Sequence, residues 1–324
     1  MSKDINWGII GCGNVTELKS GPAYTKTEGF KLYAVMRRDL AKAEDYAKRH
    51  NVPVFYNDAD KLINDPDVDA VYIATPPDTH KYYALKVAEA GKPCCIEKPM
   101  APSYEECKVI CDAFGEKQVP LFVAYYRRSL PRFKQVREWI DNGEIGKPRH
   151  INWLLTRTPS PADKSKEYNW RTDAAIATAG YFDDLASHGI DLFIQMLGKV
   201  IEAKGIALNQ QGLYSAKDAV TGCWLHNTRV TGSATWNFGS NSREDIVELY
   251  GSDGKITFSV FGEEPVVLEN NNDKKELFIE NPENIQLYHV RNMREHLLGN
   301  SVHPSTGETG AHTSWVLDKI VGKL

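Results

Sequence analysis

No apolar run in this sequence comes near the roughly 18 residues that a membrane-spanning helix needs, so no membrane partner is expected. Neither sign of charge dominates. The 39 Lys and Arg stand against 43 Asp and Glu, a net charge of -4, which gives no electrostatic reason to expect a nucleic-acid partner. The six cysteines (Cys12, Cys94, Cys95, Cys107, Cys111, Cys223) include no C-x-x-C pair and mostly lie in apolar segments. They read as small buried hydrophobes in a reducing compartment, not as disulfides or zinc ligands. The nine histidines contain no H-x-x-x-H pair, so no metal site is expected. There is no internal repeat, low-complexity tract or block of like charge, and Asn270-Asn271-Asn272-Asp273-Lys274-Lys275 reads as an exposed turn. Met1-Ser2-Lys3-Asp4 runs into the first apolar segment without a signal-peptide pattern, so a cytoplasmic location is expected.

What is present is ordinary globular material: 324 residues, enough for about two domains, with 42% apolar and 25% charged. The first 125 residues alternate short apolar runs (5–10, 31–36, 52–56, 70–74, 93–96, 120–125) with helical patterns such as 40–49, 80–90 and 104–115. Repeated βα units of this kind predict a doubly wound parallel sheet, whose ligands bind at the carboxyl ends of the strands. From about residue 126 the pattern changes. A helix over 128–140 is followed by β-rich runs at 149–157, 220–226, 229–236, 246–250 and 255–261, interrupted by a helix over 182–197 and closed by one from 305 onward. The prediction is an α/β protein in two parts: residues 1–125 as a dinucleotide-binding Rossmann domain, and residues 126–324 as an α+β domain with a large, mainly antiparallel sheet for substrate binding and oligomerisation.

The chemistry gathers at the predicted strand ends. Gly11-Cys12-Gly13-Asn14-Val15-Thr16 follows the first strand as most of a dinucleotide fingerprint. Gly11 allows the tight turn and Gly13 the close approach of backbone to pyrophosphate at the positive end of the next helix. Thr16 stands where a third Gly or Ala is usual. At the end of the second strand, where a carboxylate would hold a ribose hydroxyl, the sequence has Arg37-Arg38. Two guanidiniums suit a 2′-phosphate and favour NADP over NAD, with Asp39 read as the cap of the following helix. Thr75-Pro76-Pro77-Asp78-Thr79-His80 reads as an extended loop for the nicotinamide half, running into a helix near Thr79. Cys94-Cys95-Ile96-Glu97-Lys98-Pro99 puts a lysine at a buried strand's exit, where it is poised for proton transfer. The expected cofactor set is therefore Gly11, Gly13, Asn14, Val15, Arg37, Arg38, Thr75, Pro76, Pro77, His80, Glu97 and Lys98. Further on, Asp184, His188 and Asp191 are spaced i, i+4, i+7 and share one helix face, where a histidine beside carboxylates can shuttle a proton or hold a hydroxyl.

The glycine turn, the T-P-P-x-x-x-H loop, the E-K-P strand end and the D-x-x-x-H-x-x-D helix, in this order, resemble the Gfo/Idh/MocA oxidoreductases, and the resemblance spans the chain. It implies that Lys98 and His188 are the catalytic pair with Asp184 as third polar member, and that hydride passes between nicotinamide and a sugar or polyol carbon. It implies that Tyr126, Arg127, Trp170 and Arg171 line the substrate site with Asp184 and His188, that the Lys98-Pro99 bond is often cis, and that the protein is a homodimer or homotetramer. One departure is Ala177-Thr178-Ala179-Gly180, where relatives often have a glycine triplet. The reading is an NADP(H)-preferring oxidoreductase, NAD(H) possible, acting on a carbohydrate-derived alcohol or carbonyl. The alternatives within the same fold are an NAD-dependent glycoside hydrolase and a non-catalytic cofactor-sensing regulator.

Overall fold

The computed structural model describes residues 4–271 and 273–324. Met1, Ser2 and Lys3 of the N-terminal reading and Asn272 of the expected turn lie outside them. The chain forms two compact units, Met1–Leu130 with Pro282–Ala311, and Pro131–Asn281 with His312–Leu324. The division thus differs from a single cut at residue 125, because residues 282–311 return to the first unit.

In the first unit β1 (Ile5–Ile10), β2 (Phe30–Met36), β3 (Val54–Tyr56), β4 (Ala70–Ile73), β5 (Cys94–Ile96) and β6 (Leu121–Val123) form a parallel sheet in the order 3-2-1-4-5-6. Its strands are apolar because both faces are covered. Successive residues feed opposite cores: Cys94, Ile96, Leu121 and Val123 point into one and Cys95 and Phe122 into the other. Between the strands run α1 (Asn14–Leu18), α2 (Gly21–Thr25), α3 (Leu40–His50), α4 (Ala59–Ile63), α5 (His80–Glu89) and α6 (Tyr104–Lys117). Asp39 caps α3 as expected, its side chain accepting from the Lys42 N–H at 3.3 Å.

In the second unit α7 (Pro131–Asp141) starts at a proline, a favoured first helical residue, and Arg128 and Ser129, expected to begin it, belong to a separate 3-10 turn, Tyr126–Ser129. β7 (Pro148–Thr156), α8 (Pro161–Ser165), α9 (Tyr181–Leu197), β8 (Val200–Leu208), β9 (Ala219–His226), β10 (Thr231–Asn237), β11 (Glu244–Gly251), β12 (Gly254–Phe258), β13 (Val266–Asn270) and β14 (Lys274–Leu277) follow. The sheet has eight strands in the order 14-13-12-11-7-10-9-8, antiparallel except where β7 pairs with β10. Of the expected 270–275 turn, Asn270 ends β13 and Lys274 and Lys275 are paired residues of β14. α9 packs on Trp153, which leaves no room for a Cβ on Gly189. The chain then forms α10 (Leu287–Leu297), unforeseen in the sequence, and α11 (Gly307–Ile320). Val290 and Met293 of α10 complete the core on the Tyr72, Cys95 and Phe122 face of the first unit, which is why that segment returns there. Among the described residues no helix is long and apolar enough to cross a membrane.

Two buried histidines are held neutral by burial. His226 Nε2 accepts from Trp224 Nε1 at 2.9 Å, and burial lowers its pKa to about 4. His303 Nδ1 accepts from the Ser305 N–H at 3.0 Å, and burial lowers its pKa to about 4 as well. Below pH 6.5 the unfolded chain takes up protons that the folded chain refuses until about pH 4, so stability falls with pH through that window. Asp183, raised to about 6 by burial, works in the opposite direction. The expected loss between pH 7 and pH 5 is about 2 kcal/mol per histidine. Thermal midpoints at the two pH values check this. The drop should shrink in His303→Gln, and a wild-type midpoint equal at both values would count against it.

Candidate active site

The glycine turn is fixed by the sheet beneath it. Gly11 has φ 91°, its N–H and that of Cys12 both donate to the Met36 carbonyl at 2.9 and 3.3 Å, and a Cβ on Gly11 would stand 2.7 Å from Thr75 Cγ2. Gly11 is therefore glycine for the protein's own packing. Gly13 is different: its φ of -136° suits any residue, and a Cβ there would meet only the Gly11 carbonyl oxygen, at 3.8 Å. Nothing among the described residues needs Gly13 bare, and the space above it is open. Thr16 is fully buried, donates through Oγ1 to the Gly13 carbonyl at 2.8 Å and accepts the Tyr46 hydroxyl on its own carbonyl at 2.8 Å. The helix expected behind the turn begins at Asn14 but is short. α1 has five residues, so its dipole is small, and Asn14 and Val15 sit in one short turn.

Positive charge beside the turn comes from side chains instead. A cavity of about 400 Å³ is lined by Gly11, Gly13, Arg37, Arg38, Lys42 and Tyr83, among others. Arg37 is steadied by its Nη1 donating to the Cys12 carbonyl at 3.3 Å. The one carboxylate in the lining, Asp39, is engaged by Lys42 through its main-chain N–H and, at 3.4 Å, its Nζ; that main-chain bond holds the Asp39 pKa below the usual range. Lys42 was missed in the sequence, although a cation one turn beyond Arg38 was the available signal. Three cations, a bare glycine and a cavity of this size fit an anionic dinucleotide.

Thr75 and Pro76 form the next wall, with Pro77 buried after them. Thr79 Oγ1 donates to Thr75 Oγ1 at 2.7 Å, and Pro77–Thr79 is a 3-10 turn, so α5 begins at His80. His80 does not present its ring to a ligand. It is fully buried, with Nε2 2.8 Å from the Thr75 carbonyl and Nδ1 3.1 and 3.2 Å from the carbonyls of Pro99 and Met100. Burial lowers its pKa, the surrounding carbonyls opposing, and its part is to tie the Thr75 loop to the segment after Lys98. Glu97 is likewise turned inward and nearly buried. Its Oε1 accepts from the Tyr72 hydroxyl at 2.6 Å and from Gln286 Nε2 at 2.7 Å, and its Oε2 from the Lys98 N–H at 3.1 Å. Lys98 is half-buried and precedes a cis bond to Pro99. Tyr126 and Arg127 are buried in the 3-10 turn after β6, the guanidinium 4.9 Å from the Tyr126 ring centre.

In the second unit Asp184, His188 and Asp191 do share a face of α9, and all three are buried. Their partners separate them. Asp184 Oδ2 accepts from Arg171 Nε at 2.6 Å, and that guanidinium lies 4.2 Å from the Trp170 ring centre, so Trp170, Arg171 and Asp184 form one group. The ring of His188 meets Phe261 edge to face at 5.6 Å. Asp191 Oδ1 accepts from Thr313 Oγ1 at 3.1 Å, a tether within the core. In the Ala177-Thr178-Ala179-Gly180 segment only Gly180, at φ 65° and with a Cβ position 2.5 Å from the Lys217 carbonyl, requires glycine. The alanines at 177 and 179 are buried and accommodated. Among the described residues no group of three His, Cys, Asp or Glu could hold a metal ion.

The chain is similar to known proteins over nearly its whole length. Residues 5–125 match a family model described as an oxidoreductase family with NAD-binding Rossmann fold, and residues 133–257 match its GFO/IDH/MocA C-terminal domain. The chain is 37% identical to Oxidoreductase P35 of Formosa agariphila over 99% of this chain and all of that protein. It is 26% identical to myo-inositol 2-dehydrogenase of Thermotoga maritima over 81% of this chain and 77% of that protein. Its fold is similar to that of a levoglucosan dehydrogenase solved with NADH and levoglucosan, with TM-score 0.86 and 23% identity over 98% of this chain and 96% of the other.

Gly13→Val should abolish binding of NADH and NADPH, read by quenching of protein fluorescence, while the melting temperature stays near the parent's, because the added side chain occupies ligand space and not protein space. Undiminished affinity in the folded variant would sink the assignment of the turn.

Proposed function

The chain belongs to the Gfo/Idh/MocA family of NAD(P)-dependent oxidoreductases, and from that premise we propose that it transfers hydride between NADP(H) and a sugar, polyol or sugar-derived carbonyl compound, with carbonyl reduction favoured. The observation that carries the cofactor preference is the cation set at the end of β2: Arg37, Arg38 and Lys42 line the cavity, and its one carboxylate, Asp39, is engaged by Lys42. A ribose 2′-phosphate would find charge-assisted donors there, whereas a ribose diol would lack the carboxylate that usually accepts it.

The bound nicotinamide supplies or accepts the hydride. The protein's task is the proton. In our reading Lys98 donates it to the substrate oxygen as a carbonyl is reduced and takes it back in the reverse direction. Asp184 and His188 hold the substrate hydroxyls, Arg171 fixes the Asp184 carboxylate, and Trp170 offers an apolar ring. Tyr126 and Arg127 are assigned to the same task on the residues that carry the family resemblance. The relatives' names, levoglucosan dehydrogenase and myo-inositol 2-dehydrogenase, support a carbohydrate-type substrate. Assembly into a homodimer or homotetramer would cover the open face of the eight-stranded sheet, where Ile206 and Ile246, in one cross-strand row, are 67% and 40% exposed.

Changing Arg37 and Arg38 to Ala removes charge-assisted bonds of about 1.5–3 kcal/mol each, so NADPH should bind at least roughly tenfold more weakly while NADH changes little. Tighter binding of NADH than NADPH by the parent protein would refute the preference. Turnover should be sought by screening sugars, uronic acids and anhydro-sugars with both cofactors. On any substrate so found, Lys98→Met should lower kcat by roughly 10²–10⁴ with NADPH affinity kept, and His188→Asn should act mainly on KM. Near-normal kcat in Lys98→Met would overturn the acid/base role.

A further inference from the structure

Glu97 is the hub of a polar network sealed inside the first unit. Tyr72 is fully buried, Gln286 is 1% exposed and Glu97 6%. The three donors on the carboxylate divide its two oxygens: Tyr72 and Gln286 share Oε1, and the Lys98 N–H has Oε2. With Oε1 pinned from two sides the carboxyl plane cannot turn, so Oε2 is held where the Lys98 main chain needs it.

Gln286 is placed for this from a distance of 189 residues along the chain. It precedes α10, its N–H donates to the Lys19 carbonyl at 3.2 Å, and its carbonyl accepts from the Val290 N–H at 3.0 Å. Its amide is half used. Nε2 serves Glu97, while Oε1 is buried with no hydrogen-bond partner among the described residues. Flipping the amide would only set that oxygen against the carboxylate. A buried acceptor without a donor is unfavourable, and an apolar side chain of similar size would avoid it. What glutamine alone supplies at this position is the bond to Glu97.

We propose that Gln286 is a positioning residue for Lys98, acting through Glu97: it locks the carboxylate that fixes the Lys98 main chain and so the origin of the side chain that moves the proton. This rests on the acid/base reading of Lys98. Its geometric half can be measured without activity.

The test uses the full chain with NADPH and a substrate from the screen. In Gln286→Leu the Lys98 amide, followed by hydrogen exchange, should exchange about tenfold faster, because its acceptor is no longer held. kcat should fall by about tenfold with the affinity for NADPH within about twofold of the parent's, since a displaced catalytic group costs rate before it costs binding. Gln286→Glu keeps shape and volume if the leucine variant does not fold. It sets a second carboxyl against Glu97, the pair must share a proton, and kcat should approach the parent's at low pH and fall as pH rises, adding a limb to the pH profile that the parent lacks. Parent-like Lys98 exchange in Gln286→Leu overturns the proposal, as does a Gln286→Glu pH profile identical to the parent's. A loss of NADPH affinity as large as the loss of kcat would make Gln286 a general structural residue and also overturn it. The parallel Lys98→Met variant separates the two claims: if that variant turns over normally the acid/base reading fails, and the exchange of the Lys98 amide still decides whether Gln286 positions it.

Discussion

A parallel sheet exposes apolar side chains on both faces and must be covered on both, and most of what is distinctive in this molecule follows from how the second face is covered. Tyr72, Cys95 and Phe122 point to that face, and the helices between the strands do not complete its core. Val290 and Met293 do, carried by a segment that returns after the whole eight-stranded sheet has been made. Once α10 lies there, the residue before it meets the strand end at Glu97. A hydrophobic requirement thus brings a polar side chain to the base of the E-K-P segment. The same packing explains why Glu97 and His80, which both flank Lys98 in space, face inward: one holds its main chain from below, the other clamps the carbonyls of Pro99 and Met100.

Charge at the cavity beside the glycine turn follows a different logic. A long helix behind a glycine turn would bring its dipole to the phosphates, but α1 ends after five residues, where Gly21 must pass against the Thr16 carbonyl and Tyr46 with no room for a Cβ. Thr16 belongs to this arrangement. Its buried hydroxyl closes the turn on Gly13, where a glycine or alanine would instead let a helix approach. With little dipole available, the positive charge lining the cavity comes from the side chains of Arg37, Arg38 and Lys42.

The fold was legible wherever a local pattern decided it. All six strands of the first sheet and the helix carrying His188 could be placed from apolar runs and periodicity, because buried parallel strands and an apolar-faced helix leave that mark in sequence. β8, with Glu202, Lys204 and three exposed apolar residues, carries no clean alternation, and β14 is exposed throughout. α10 was invisible for another reason: its polar surface residues dominate, and the two that matter, Val290 and Met293, gain meaning only against a core built from residues 7–124.

At the site, sequence spacing found the right helix face but could not rank its members. Asp184 and Asp191 flank His188 at equivalent helical offsets, and both are buried charges that require a partner. Asp191 finds the hydroxyl of Thr313 and becomes part of the core, whereas Asp184 finds a guanidinium that is itself stacked on Trp170. The difference is one of desolvation. Asp191 is tied to the Thr313 hydroxyl within the core, while Asp184, also buried, is paired with the half-buried Arg171 beside the Trp170 ring. Two carboxylates spaced four before and three after one histidine are thus told apart by the partner each meets, and those partners, Thr313 and Arg171, lie 122 residues after one and 13 before the other.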